Sequence, residues 1–414
     1  MSSEDVRREF EGQLARRRNG GFPERDFPTL PDQCWTGIYR SYLDCVRPTT
    51  EADDIYHYVT MEMALGMVAG YKPYFHYVGP LRLNTFAVVI GPSADAHKGV
   101  PLNYLLRLLS GVGLLFEYCS NTASIEGAKE QVESSGQRTI LFHEPEIAVL
   151  TANAGRVGTR NLLPGLCHVY DCPEEWRMTK KGSKPIERPY AHLFGASTPD
   201  WADKLESLDA LSGGFLNRNI IVYGDPTRII ALPPKPDPRK WGEIIEELRS
   251  AREWCENSAD EITFSPAGKE RYVEWIERWK TERRERPATE REVTARTDVH
   301  AIKGACKRAI CRRSLTIEPD DLEPAIAAAE VFERTRALLF HRAGLSPIGK
   351  LELLIRERHP GGTIRFSKLH ELVGGRHSAK DVLDACRTLA AVGELILDEE
   401  AYGRGNKRMT VMKL

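Results

Sequence analysis

The residues best placed for chemistry begin at Gly91. The stretch 91–100, GPSADAHKGV, follows a short apolar run at 85–90 (TFAVVI) and precedes leucines at helical spacing over 102–115. A glycine-bearing loop between a strand and a helix can turn backbone N–H groups toward a phosphate, while a lysine serves the outer phosphates and a hydroxyl holds Mg2+. Gly91, Ser93, Lys98 and Gly99 are the candidate ligands for such a group. The loop departs from G-x-x-x-x-G-K-[ST]: one extra residue precedes Lys98, His97 stands in place of glycine, and Gly99-Val100 supply no hydroxyl.

A second apolar run, 139–142 (TILF), leads into His143, Glu144, Pro145 and Glu146. Glu144 stands where a strand-end carboxylate would orient an attacking water, and His143 where a metal-binding aspartate would stand. A third run, 192–196 (HLFGA), ends at Ser197 and Thr198, either of which could orient the same water. A fourth, 219–223 (NIIVY), follows the glycine-rich 212–218 (SGGFLNR), so Arg218 lies where an arginine finger could enter a neighbouring subunit. Glu144, Ser197, Thr198 and Arg218 are the catalytic candidates. Val100 and a neutral His143 are poor partners for Mg2+, which prefers oxygen. ATP is therefore the expected cofactor, Mg2+ is poorly provided for, and hydrolysis is expected to be weak or absent.

Short apolar strands separated by helical patterns predict an α/β domain with a mainly parallel sheet, its sites at the strands' C-terminal ends. Residues 1–50 read as an N-terminal arm and 51–232 as the ATPase-like core. The proline-rich 233–239 (PPKPDPR) opens a helical lid or connecting region that runs to 342. From 343 the order changes: a helix from Ile348, short β at 363–366, a helix from Ser367, a Gly374-Gly375 turn, a helix at 379–392 and two β segments. That order is a winged helix-turn-helix. Ser378 is a natural cap for the 379–392 helix, with Val382, Leu383, Cys386 and Leu389 at core spacing.

Net charge is −1, so affinity for nucleic acid must come from local patches. Lys180, Lys181 and Lys184 lie in a basic, hairpin-like stretch (177–184) ahead of the third strand. Lys380 and Arg387 lie on the 379–392 helix, and Arg404, Lys407 and Arg408 lie at the wing tip; all could meet DNA phosphates. With 41% hydrophobic and 28% charged residues over 414 positions, the chain should fold into two or three domains. No apolar run reaches 18 residues and the first 20 are charged throughout, so a cytoplasmic protein without membrane contact is expected. The nine cysteines lack paired spacing and read as reduced, buried thiols; Cys167, His168 and Cys172 have no second ligand pair, and no metal site is expected.

The succession GPSADAHKG, TILFHEPEIAVL, HLFGASTPDW and SGGFLNRNIIV, followed by ARTDVHAIKGACKRAI and EPDDLEPAIAAAE, resembles a P-loop, AAA+-like ATPase family of phage, prophage and plasmid primase-helicases over residues 35–335. The resemblance implies a P-loop ATPase core with a helical lid, assembly as a homo-oligomeric ring on DNA, and Arg296 as a lid-borne sensor arginine for the nucleotide. Val100 and His143 depart from it at the metal. The expected function is a DNA helicase or translocase of a mobile genetic element with a degenerate nucleotide site. The alternative is a non-hydrolysing DNA-binding replication initiator, or a scaffold, that retains the fold.

Overall fold

The computed structural model describes residues 27–93, 96–154, 156, 158–177, 184–199, 201, 214–226, 228–258, 260–286, 288–340, 347–374, 377–402 and 406–413. They belong to two units, Phe27–His341 and a C-terminal one within Arg342–Leu414.

The larger unit is built on β3 (Phe86–Ile90), in which every residue is buried. A strand with no polar side needs cover on both faces, and a parallel sheet between helices supplies it. Five parallel strands form that sheet: β4 (Glu117–Ser120), β5 (Thr139–Glu144), β8 (Tyr190–Ser197), β3 and β9 (Asn219–Tyr223), in that order across it. Four of them are the apolar runs read from the sequence. The fifth, β4, went unread because it has a single buried residue, Cys119.

Helices α1 (Ile38–Val46) and α2 (Asp54–Ala69) precede the sheet. Buried on nearly every side, α2 is a core helix, started by Asp53, whose carboxylate accepts the Ile55 N–H at 3.0 Å. It approaches the sheet closely at Gly66, where a Cβ would stand 2.8 Å from the Leu83 carbonyl oxygen. Between strands run α3 (Gly99–Val112), α4 (Ile125–Ser135), α5 (Ile147–Ala154), α6 (Leu162–Tyr170) and the short α7 (Phe215–Arg218). The small strands β6 (Glu175–Trp176) and β7 (Ile186–Glu187) pair antiparallel ahead of β8.

Residues 233–340 differ from the wholly helical region expected. Helices α8 (Pro238–Asn257), α9 (Pro266–Arg284), α10 (Ala288–Val293), α11 (Thr297–Cys311) and α12 (Pro319–Leu339) are joined by β10 (Glu261–Phe264) and β11 (Thr316–Ile317). With β1 (Tyr74–His76) and β2 (Pro80–Arg82) these strands make a second sheet, ordered β11-β10-β1-β2. Strands of two to four residues are too short to show a period of two. The region also packs into the same unit as the core: Arg336 of α12 donates to the Asn219 carbonyl at 2.9 Å, and Lys307 of α11 pairs with Glu62 of α2 at 2.7 Å.

The C-terminal unit runs α13 (Pro347–Arg358), β12 (Gly362–Arg365), α14 (Phe366–Leu372), α15 (Ala379–Ala391), β13 (Leu395–Tyr402) and β14 (Asn406–Lys413). The Ser378 hydroxyl accepts the Asp381 N–H at 3.1 Å and starts α15. Val382, Ala385, Cys386 and Leu389 are buried against Leu351, Ile355, Leu369 and Val411; Leu383, expected in that core, is half-buried. The strands form an antiparallel sheet, β12-β14-β13.

Close approach at Gly66 predicts a sharp stability response. Gly66→Ala should cost about 1–3 kcal/mol, because the clash is with backbone. Gly242→Ala, in α8 with nothing within 4 Å of the added carbon, should gain about 0.5–1 kcal/mol. Denaturant unfolding of both variants checks this, and equal responses would contradict the packing.

Candidate functional site

At the C-terminal end of β3 the chain passes beneath Tyr56, whose hydroxyl donates to the carbonyls of Ile90 and Gly224, each at 2.8 Å. Only glycine fits next, since a Cβ on Gly91 would lie 2.2 Å from that hydroxyl. The Gly91 N–H donates to the Ser197 carbonyl at 3.3 Å, so the loop leaves the sheet between β3 and β8. Ser93 is exposed beyond it, and Asp95 lies outside the described residues.

The loop closes at His97 and Lys98. His97 has φ 49°, a left-handed conformation, with its Nε2 3.3 Å from the Glu51 carboxylate. The Lys98 ammonium turns back to donate to the carbonyls of Gly91 (2.9 Å) and Pro92 (2.6 Å). Burial pushes its pKa down, and the charge of Glu146 offsets part of that shift. Gly99 begins α3, no side chain caps that helix, and a Cβ on Gly99 would meet nothing within 4 Å.

The two glutamates flanking Pro145 take different roles. Glu144 is 2% exposed and its carboxylate accepts the Thr122 N–H at 2.9 Å, holding the turn after β4. Burial pushes its pKa up, with the Thr122 contacts acting the other way. Glu146 is exposed and accepts the Ser197 hydroxyl. Lys98, Gly91, Ser197 and Glu146 are thus linked, while Glu144 faces the neighbouring turn. Glu146 was not singled out from the sequence as a site residue, although it lies only two residues beyond Glu144. Thr198 is half-buried, and its carbonyl accepts the Trp201 N–H at 3.0 Å. His143 meets the Tyr118 hydroxyl through Nδ1 at 2.6 Å, and burial pushes its pKa down, which favours the neutral ring.

Arg218 and Arg296 lie elsewhere. Arg218 immediately precedes β9, level with the start of β3, and is therefore at the opposite end of the sheet from Lys98. Its Nη2 donates to Asp171 at 2.8 Å, and Arg296 reaches the same carboxylate at 3.5 Å. By the resemblance Arg296 was expected to be a lid-borne sensor arginine for the nucleotide. It stands instead with Arg218, because it caps the N-terminal end of α11, which packs at the foot of the sheet.

Among the expected DNA contacts, Lys184 is exposed at the base of the β6–β7 hairpin, its backbone N–H donating to Glu133 at 3.1 Å. Lys380 and Arg387 are exposed on α15, and Arg387 also pairs with Asp384 at 3.2 Å. Lys407 and Arg408 lie in β14, in register with Ala401 and Glu400. Lys180, Lys181 and Arg404 fall outside the described residues. No helix among the described residues is long and apolar enough to cross a membrane.

No protein-family model matches the chain, and no curated protein matches it. Among solved structures it is similar to the ORC1 protein of Aeropyrum pernix in complex with DNA, at 15% identity over 86% of this chain and 88% of that one, with a TM-score of 0.25. A superposition at that level does not carry a shared architecture, so what the chain does has to be read from its own residues.

The raised pKa of Glu144 has a definite sign. The folded chain keeps that proton to higher pH than the unfolded chain, so stability is lost as pH rises from the ordinary glutamate value of 4.5 through the raised one. Glu144→Gln, which can still accept from Thr122, should remove this loss. It should be at least as stable as the parent at neutral pH, and the two should converge in acid. Unfolding curves across pH check it; a variant markedly weaker at neutral pH would show that the charged carboxylate is needed.

Proposed function

We propose that this chain is a DNA-acting protein with a P-loop, AAA+-like core that binds a nucleotide at the 91–99 loop, and with a C-terminal winged helix that meets DNA. The observation that carries the reading is the sheet order. The strand that feeds the loop lies between the strand ending in Ser197 and the strand following Arg218, with the acid-bearing strand next beyond, so Lys98, Ser197 and Glu146 meet at one switch point.

The residues present fit a phosphate. Among the described residues, half-buried Lys98 is hydrogen-bonded to the carbonyls of Gly91 and Pro92 and to no carboxylate. The uncapped N-terminus of the fourteen-residue α3 adds N–H donors and a favourable dipole. Lys98, the Gly99 N–H and Ser93 would hold the phosphates, and a bound ATP would supply a transferable phosphoryl group. Turnover is weak or absent in this reading. His143 is engaged by Tyr118, Val100 has no hydroxyl, and electrostatic stabilisation of the phosphoryl group is most of the catalysis in this class. That favours a non-hydrolysing initiator over the helicase or translocase of a mobile element which the resemblance implies.

Assembly as a homo-oligomeric ring rests on the resemblance: Arg218 stands at the far end of the sheet from Lys98 and is held by Asp171, so it would have to leave that carboxylate to serve a nucleotide held by a second copy. For DNA, the support is the order α-β-α-α-β-β with exposed Lys380 and Arg387 on α15 and with Lys407 and Arg408 in β14.

Nucleotide binding and hydrolysis, each with and without DNA, test the reading. The full chain should bind a fluorescent ATP analogue, and Lys98→Ala should weaken it by about tenfold or more, the loss of a hydrogen-bonded charge. A chain that binds no nucleotide sinks the proposal; brisk DNA-stimulated hydrolysis lost in Glu146→Gln would overturn its weak-turnover part. Replacing Arg404, Lys407 and Arg408 by Gln should reduce the slope of log affinity against log salt by roughly 0.9 for each DNA phosphate no longer neutralised. An unchanged slope would take the wing off the DNA.

A further inference from the structure

At the foot of the sheet, the opposite end from Lys98, a cavity is lined by Glu62, Asn84, Tyr170, Arg218, Lys303 and Lys307 among others, with Phe86 and Ile220 as apolar wall. It has room for about one water-sized centre. Three cations line it, Arg218, Lys303 and Lys307, with Arg296 beside Arg218: the two arginines share the carboxylate of Asp171, Lys307 is paired with Glu62, and among the described residues Lys303 has no acid at hydrogen-bonding distance. Lys303 and Lys307 are one helical turn apart on α11, a repulsive spacing for like charges. Both are almost wholly buried, where an unpaired charge is costly.

Each lysine keeps one N–H beyond those the described residues accept. An ammonium has three N–H groups. Lys303 directs two at Asn84, to its carbonyl at 3.0 Å and its Oδ1 at 2.8 Å, with the ammonium 4.1 Å from the centre of the Tyr170 ring. Lys307 directs two at Glu62 and Thr85, each at 2.7 Å. The Tyr170 hydroxyl is buried and has no hydrogen-bond partner among the described residues. Burial pushes Lys303 down to about 7, the direction expected of a cation short of counter-charge.

We infer that this cavity is a binding site for one small monovalent anion of the size of chloride, held by Lys303, Lys307 and the Tyr170 hydroxyl. The size follows from the space, since a tetrahedral oxyanion brings five heavy atoms into room for one. The site is independent of the nucleotide reading, from which the whole length of β9 separates it.

Thermal unfolding of the full chain in sodium chloride and in sodium gluconate at matched ionic strength tests it, together with an anomalous map from crystals grown in bromide. Chloride should raise Tm with a saturating dependence, as a ligand of the folded state does, and bromide should give a peak between Lys303 and Tyr170. Tyr170→Phe should weaken the chloride response about tenfold or more, the loss of a hydrogen bond to a charge, and Lys303→Met should abolish it. Should Lys303→Met fail to fold, the bromide map and the conservative Tyr170→Phe still decide. Equal Tm in the two salts with no bromide peak would overturn the inference, as would a chloride response unchanged in both variants. Stabilisation by phosphate in place of chloride would overturn the assignment of size.

Discussion

The ion pair between Glu62 and Lys307 is the contact on which the arrangement of the larger unit turns. Two charges taken out of water are tolerated only when their remaining hydrogen bonds are met. Here Lys307 donates to Glu62 Oε2 and Thr85 Oγ1, and the Tyr39 hydroxyl donates to Glu62 Oε1 at 2.6 Å. Burial pushes the Glu62 carboxyl up, and Lys307, the Tyr39 hydroxyl and Arg308 together more than reverse this, leaving it below its ordinary value. The contacts join α1, α2 and α11 to the residue before β3. They fix where that strand starts and, at about 3.3 Å per residue, where it delivers Gly91. The site is thus positioned from the far end of the sheet.

Much of this was legible and some was not, for identifiable reasons. Strands buried on both faces announce themselves as unbroken apolar runs, and β3, β5, β8 and β9 were read to within a residue or two at each end. Strands without such a run carry no mark: β4 alternates, and β10 and β11 are short enough to pass for breaks between helices. In the C-terminal unit every element was visible, because turn glycines and a serine cap punctuate it.

Side-chain roles were less legible than elements. Glu144 and Glu146 flank one proline, and nothing in their spacing tells which faces the loop. The orphan N–H of Thr122 claims the first and the Ser197 hydroxyl the second, partners 22 and 51 residues away. The cations of α11 posed the same problem. Arg296, His300, Lys303 and Lys307 fall on one helical stripe, which reads as solvated until Asn84, Tyr170 and Glu62 are brought against it. Such a buried charge cluster depends on acceptors that lie up to 245 residues away in sequence.

Seen end to end, the sheet separates charge that the net value of −1 conceals. Around the loop at its C-terminal end stand Glu51, Asp53, Asp54, Glu144 and Glu146, answered by Lys98, Arg47 and Arg228. Around its foot stand Arg218, Arg296, Lys303, Lys307 and Arg336, answered by Asp171 and Glu62. Among these residues the loop end therefore carries more carboxylates than cations. The foot of the sheet has the opposite surplus, so the two ends of one parallel sheet differ in the sign of their uncompensated charge.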